Sequence, residues 1–248
     1  ALQYLVAQTL HIQSRVVYKG IIGRAENKAL IRYLGRPLRR LKSADLLVDI
    51  PVAVVDTQPS AGNNPLPAHI KPVVVIDHHP LRPATSEASY ADVRPNVGST
   101  ASILTGYLQA AELKIEPGLA TALFYGIKTD TMGLERGVSS LDTHAFCKLL
   151  PKIDIEAIFK IERAQVPADY FKNFVVTLQN ARQFGEVITS YLGSMPYPDL
   201  AAEMADMLLR MQGSRWVICL GSYNGSLILS VRTYNRKGDG KLVQKIVG

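Results

Sequence analysis

The stretch "KPVVVIDHHP", residues 71–80, runs apolar through Val73, Val74, Val75 and Ile76 and then sets Asp77, His78 and His79 side by side. A short β-branched run bounded by prolines reads as a strand. This strand ends on an acid and two imidazoles, side chains that belong to chemistry more than to packing. A second segment does the same upstream: "PVAVVDTQP", residues 51–59, is a short apolar run that stops on Asp56. Two strands therefore deliver metal-type ligands at their carboxyl ends.

Around them, helices alternate with strands. "ALQYLVAQTL" repeats its apolar residues at helical spacing, "SRVVYKGI" is a short strand, and "AENKALIRYLG" is a helix stopped by Gly35 and Pro37. The Gly, Asn and Pro of "TQPSAGNNPLPAHIK" make a loop between the two acid-tipped strands. "VGSTASILTGYLQAAEL" opens on Ser99 or Thr100 as an N-cap and continues as an amphipathic helix to about Leu113. "PGLATALFYGIKTDTMG" is another helix, with Pro117 near its start and Asp130 just past its apolar stretch, and "SSLDTHAFCKLLPKID" is one more. This alternation predicts an α/β fold built on a mainly parallel sheet. Such sheets bind ligands at the carboxyl ends of their strands, where Asp56 and Asp77 fall.

The texture changes after Pro151. "PADYFKNFVVTLQNARQFG" places Phe171, Phe174, Val175, Leu178 and Ala181 on one helical face and reads as a connecting helix. A strand (VITSYLG), a helix (DLAAEMADMLLRMQG) and a hairpin (RWVICLGSYNGSLILSVRTY) follow, the last with Asn224-Gly225 as its turn signal. The expected organisation is a first domain over 1–165, a connecting helix over 166–185 and a smaller α/β domain over 186–248.

Composition narrows the setting. In 248 residues, 47% are hydrophobic and 20% charged, enough for a sizeable core and far from disorder. The apolar runs are only a few residues long, well short of the ~20 needed to cross a bilayer, and the amino end shows no signal-peptide pattern. The two cysteines, Cys147 and Cys219, have apolar neighbours and no metal spacing, so both read as core thiols of a reducing, cytoplasmic setting. The net charge of +7 favours an anionic ligand. Its densest run, Arg32 to Lys42, reads as a solvated helix face and connector.

The candidate chemistry gathers in Asp56, Asp77, His78, His79 and Asp130. Carboxylates with imidazoles suit divalent ions such as Mn²⁺, Zn²⁺ or Fe²⁺, which bind phosphoryl oxygens and acidify water. At "VGST" (97–100), Gly98 and two hydroxyls at a helix start present free backbone N–H groups to an anion, or simply cap the helix. Ser230 and Arg232 alternate on one strand. An arginine fork recognises phosphate, although the pattern alone reads as a solvated outer strand face. No nucleophile elbow, Walker A loop or dinucleotide turn is found, so acyl transfer and nucleotide-cofactor chemistry have no support.

In order and spacing, "VVDTQP", "VVVIDHHP", "VGSTAS" and "GIKTDTMGL" resemble the motifs of the DHH phosphoesterase family. "GSYNGSLILSVRT" is similar to the DHH-associated substrate-binding domain that accompanies them, and the resemblance covers nearly the whole chain. It implies metal ligation by Asp56, His78 and Asp130, most simply to a pair of manganese ions. It further implies that Asp77 orients His78 and that His79 reaches the scissile phosphate or leaving group. Ser99 and Thr100 match the family's helix-start motif near the site, Asn27 lies in a segment that covers the substrate in relatives, and Ser230 with Arg232 contacts the substrate's distal phosphate or base. The family's opening HxxPDxD-type motif and its closing glycine-histidine loop have no counterpart, so the sequence reads as lacking both ends of the pattern.

The activity so implied is hydrolysis of small nucleotide substrates by a metal-activated water: short oligoribonucleotides, pAp or dinucleotides. Two alternatives stay open, an inorganic pyrophosphatase of the same superfamily and a non-catalytic nucleotide-binding protein. No membrane partner is expected, and a homodimer is compatible with the sequence.

Overall fold

The computed structural model describes residues 1–42, 45 and 50–234. The chain is α/β and divides into two compact units. The first joins Ala1–Gly20 to Leu30–Glu162, and the second joins Ile21–Ala29 to the chain from Arg163 onward.

The first unit contains α1 (Leu2–Thr9), β1 (Val16–Tyr18), the second half of α2 (Ala25–Tyr33), β2 (Leu38–Arg40), β3 (Ala53–Val55), β4 (Val74–Asp77), β5 (Tyr90–Val93), α3 (Thr100–Ala110), α4 (Pro117–Asp130), α5 (Ser140–Leu149) and α6 (Ile155–Glu162). Among the described residues every strand pairing in it is parallel: β1 with β2, and β3, β4 and β5 in that order. β4 is the central strand, and Val75, Ile76 and Asp77 are all fully buried, as expected of a parallel strand covered on both faces. Helices α3, α4 and α5 pack on one another, and Ile103, Leu108, Leu123, Ile127, Ala145 and Leu149 on them are buried. α3 ends at Ala110, before the expected Leu113, because the chain turns out through Glu112 at φ 52°. Cys147 is exposed, against expectation. The buried stripe of α5 is Asp142, Ala145 and Leu149, and Cys147, two residues from either of the last two, points the other way.

The second unit contains the start of α2, then α7 (Ala168–Asn180), β6 (Arg182–Phe184), β7 (Val187–Ser194), α8 (Leu200–Leu208), β8 (Trp216–Tyr223) and β9 (Ser226–Thr233). The sheet order is β6-β7-β8-β9. Among the described strands only β7 and β8 run parallel, and α8 supplies the crossover that a parallel pair requires. Ile188, Leu192, Leu200, Met204, Leu208, Val217 and Cys219 form its core, with Tyr170 and Phe174 packed against it. The buried face of α7 differs from the expected one. Tyr170, Phe174 and Thr177 point inward, whereas Phe171, Val175 and Leu178, one residue further round, are exposed. The helix also stops at Asn180, and residues 182–184 become an antiparallel edge strand.

The β8–β9 turn is set by Asn224 at φ 47° and Gly225 at φ 78°, the two left-handed residues of a type I′ hairpin. A Cβ at Gly225 would meet no atom within 4 Å, so its cost is purely conformational. Gly225→Ala is expected to destabilise the second unit by about 1–2 kcal/mol, read as a lower denaturant midpoint. Among the described residues, no helix is long and apolar enough to cross a membrane.

Candidate functional site

β3 and β4 are paired in register, Val55 beside Ile76, so both chains leave the sheet at the same edge. The Asp56 N–H donates to the Ile76 carbonyl at 2.9 Å and the backbone then turns at φ 62°. A left-handed backbone costs an L-residue about 1–2 kcal/mol, and aspartate is among the side chains that tolerate it best. The turn carries the exposed Asp56 carboxylate off the end of β3, where Oδ1 accepts from the Thr100 hydroxyl at 2.8 Å and lies 3.5 Å from His78 Nε2. Asp56, His78 and His79 can each offer one ligand atom within 4.8 Å of the others.

The tautomers of the two histidines follow from their partners. His78 Nδ1 faces the Val97 carbonyl at 3.3 Å, and a carbonyl can only accept, so Nδ1 carries the proton. His79 Nδ1 faces Asp77 Oδ1 at 2.8 Å. Burial pushes the Asp77 carboxyl pKa up, but hydrogen bonds from His79 and Gln58 outweigh it and hold the group ionised, below the usual carboxylate range. Its oxygens therefore accept, and His79 Nδ1 also donates. In the neutral form each ring would then keep its lone pair on Nε2, the arrangement of a metal-ligating histidine whose other nitrogen is held by a carbonyl or carboxylate. The ring that Asp77 orients is thus that of His79, not His78 as expected. Asp77 meets His78 only through the His78 backbone N–H, at 2.8 Å.

Ser99 caps α3 by accepting from the Ala101 N–H, and its hydroxyl donates to Asp130 Oδ2 at 2.9 Å. Asp130 lies outside the three-residue cluster but within its field. Burial raises its pKa, the bond from Ser99 opposes this, and the Asp56 charge adds to the rise.

Three further residues were not anticipated. Gln58 is buried at 1% exposure, and its amide is fully used. Nε2 donates to Asp77 Oδ2 at 2.7 Å and to the Pro80 carbonyl at 3.1 Å, while Oε1 accepts from the Arg82 N–H and the Thr85 hydroxyl, both at 2.8 Å. Its place two residues after Asp56 was the available signal. Gln58→Leu strands Asp77 Oδ2 and two donors, and should cost about 2–3 kcal/mol of stability by chemical denaturation. Val97 acts through its carbonyl, which no sequence pattern reveals. Asp142 holds the Gly98 N–H at 2.8 Å and forms a capping box with Ser139; the spacing Ser139-x-x-Asp142 could have marked it.

The remaining candidates lie in the second unit. Asn27 is exposed on the part of α2 that groups there. Ser230 stands opposite Cys219 and Arg232 opposite Val217, two core residues of β8. Ser230 is buried and Arg232 Nε donates to Asp206 of α8 at 2.8 Å, so this is the helix-covered face of the sheet and not the solvated outer face that the alternation suggested.

No family model matches the chain. An uncharacterized protein of Methanocaldococcus jannaschii is 36% identical over 248 residues, covering 98% of this chain and 50% of its own, so the chain spans about half the length of that relative. Among solved structures, an exopolyphosphatase-related protein from Bacteroides fragilis superposes with a TM-score of 0.66 at 13% identity, over 95% of this chain and 84% of that one. The chain has that protein's α/β fold. A pGpG-specific phosphodiesterase from Vibrio cholerae aligns over 95% and 88% of the two chains at 11% identity, with a TM-score of 0.36.

Proposed function

We propose that the chain is part of a metal-dependent phosphoesterase of the DHH type, in which the first unit binds the metal and the second grips a small nucleotide. The observation that carries this reading is the convergence of Asp56, His78 and His79, with an acceptor facing Nδ1 of each ring and the Asp56 carboxylate 3.5 Å from His78 Nε2. Two imidazoles and a carboxylate suit borderline divalent ions such as zinc or iron and, through the carboxylate, harder ones such as manganese. The order of the four sequence motifs and the fold shared with an exopolyphosphatase-related protein support phosphate chemistry over other uses of such a site.

Asp56, His78 and His79 would hold the ion, with Asp130 as a further carboxylate beside them. When bound, it would polarise a phosphoryl oxygen and lower the pKa of a water. Thr100 fixes the Asp56 carboxylate, Val97 and Asp77 fix the two rings, and Ser99 holds Asp130. Arg232 and Ser230 would take the substrate's distal phosphate or base, with Asn27 beside them. The preferred substrates are pAp, dinucleotides and oligoribonucleotides of a few residues.

The test is manganese-dependent hydrolysis of pApA, pAp, a cyclic dinucleotide and pyrophosphate, with manganese and AMP binding measured on the same chain. Turnover of a nucleotide in preference to pyrophosphate supports the reading. Preference for pyrophosphate overturns the substrate assignment, and AMP binding without manganese binding or turnover points to a nucleotide-binding protein instead. Arg232→Ala should weaken AMP about tenfold, the size of one charge-assisted hydrogen bond, and leave manganese affinity unchanged. A loss of manganese affinity in that variant would show that the roles of the two units are misassigned.

A further inference from the structure

Arg232 does not stand free on β9. Its Nε donates to Asp206 Oδ1 at 2.8 Å and its Nη1 to the Val231 carbonyl at 3.1 Å. The other oxygen of Asp206, Oδ2, accepts from Arg24 Nη2 at 3.2 Å, across 182 residues of sequence. One carboxylate thus bridges two guanidinium groups. Each keeps donors in reserve, since a guanidinium has five N–H groups. Arg232 Nη2 and Arg24 Nη1 make no hydrogen bond among the described residues.

Arg24 opens the segment that carries Asn27: its carbonyl accepts from the Lys28 N–H at 3.1 Å as α2 begins. The same segment presses on Tyr197, just before α8. A Cβ on Gly23 would fall 2.3 Å from the Tyr197 ring, and Lys28 Nζ lies 5.8 Å from its centroid. The candidate substrate residues at either end of the sequence are therefore joined within one unit, through α8.

Two buried polar atoms beside this bridge lack a partner among the described residues. One is the Ser230 hydroxyl, two residues from Arg232 and on its face of β9; the other is Glu203 Oε1, three residues before Asp206 on α8. Such atoms are uncommon in folded proteins and mark places where a polar partner fits. Burial raises the Glu203 carboxyl pKa, and the Arg24 charge opposes that rise.

We propose that Asp206 is a positioning residue for anion recognition: it fixes the Arg232 guanidinium with Nη2 left for a ligand phosphate, and it ties Arg24, with the Asn27 segment, to the same point. The ligand, a nucleoside monophosphate group, rests on the function proposed above; the positioning rests on the geometry of the second unit alone. Neutralising Asp206 leaves both arginines to repel one another, so removing an acid should weaken the binding of an anion. A carboxylate with no positioning role would do the opposite, because its removal makes the surface more positive.

The test measures AMP binding by calorimetry in EDTA on the full chain, with the ¹⁵N–¹H signal of the Arg232 Nε–H as a ligand-free readout. The wild-type signal should be protected, lost in Asp206→Ala and retained in Asp206→Glu. AMP affinity should fall about tenfold in Asp206→Ala, recover partly in Asp206→Glu, and in the Asp206→Ala/Arg232→Ala double variant fall by clearly less than the product of the two single losses. Arg24→Ala, which spares the Arg232 contact, should give a smaller loss, and it serves should Asp206→Ala not fold. Unchanged or tighter AMP binding in Asp206→Ala, or full additivity with Arg232→Ala, overturns the positioning role. No AMP binding by the wild type overturns the nucleotide assignment instead, a failure recognisable because the Nε–H signal would still respond to Asp206.

Discussion

Asp142→Ala is expected to lower the stability of the first unit by about 3–5 kcal/mol, the range for breaking a buried polar network. The side chain is fully buried and accepts from four donors: the Gly98 N–H and Ser139 N–H at 2.8 Å, the Ser139 hydroxyl at 2.6 Å and the Ser102 hydroxyl at 2.5 Å. Alanine leaves all of them without that acceptor and opens a void. The site would feel it, because Gly98 immediately precedes the Ser99 and Thr100 that hold Asp130 and Asp56. Gly98 cannot adjust by much, since even a Cβ there would lie 2.7 Å from Thr131 Cγ2 and 2.9 Å from the Gly137 carbonyl. The effect depends on pH. Burial raises the Asp142 pKa, but the bonds from Ser102, Ser139 and the Gly98 N–H outweigh it and hold the group below its ordinary value. With the folded pKa depressed, its contribution is present above the unfolded value of about 4 and is lost as pH falls through the folded one. The gap between the denaturant midpoints of wild type and variant should therefore hold from pH 7 to about 4 and narrow in the window below. A constant gap across that window would mean that the carboxylate charge is not what these donors need.

Asp56→Asn should weaken manganese binding about 100-fold or more, since losing even a residue behind a ligand costs 10–100-fold. Asparagine keeps the shape, tolerates the left-handed backbone as well as aspartate does, and still offers an oxygen to Thr100. The melting temperature should accordingly stay within a few degrees, which separates loss of a ligand from loss of fold. Calorimetric titration with manganese at fixed ionic strength is the direct measurement. If the affinity were unchanged, Asp56 would leave the ligand set, and the metal-dependent reading would lose its only carboxylate in the three-residue cluster.

Much of this was legible in the order of residues. Parallel pairing followed from short β-branched runs alternating with helical periods, and the ends of those runs located Asp56 and Asp77 at one edge of the sheet. The hairpin at Asn224-Gly225 was legible for a local reason, because two consecutive left-handed residues are a property of the turn itself. Side-chain direction was not legible where two stripes of a helix are both apolar. Phe171, Val175 and Leu178 look as fit for the core as Tyr170 and Phe174, and only packing against β7 selects between them. Cys147 was misplaced for the same reason.

The sequence alone therefore determined which residue types meet at the candidate site, because strand period and strand ends are local properties of the chain. The tertiary structure decided how each is held. The Asp77 side chain orients the ring of His79 instead of His78, the Val97 carbonyl faces His78 Nδ1, and Gln58 and Asp142 accept from the Arg82 and Gly98 N–H groups, far away in sequence. It also decided that Arg24 and Arg232 meet on one carboxylate, that of Asp206, 182 residues from Arg24. A hydrogen bond needs its partner within about 3 Å in the right direction, and for residues distant in the chain that condition is met only once the fold has closed.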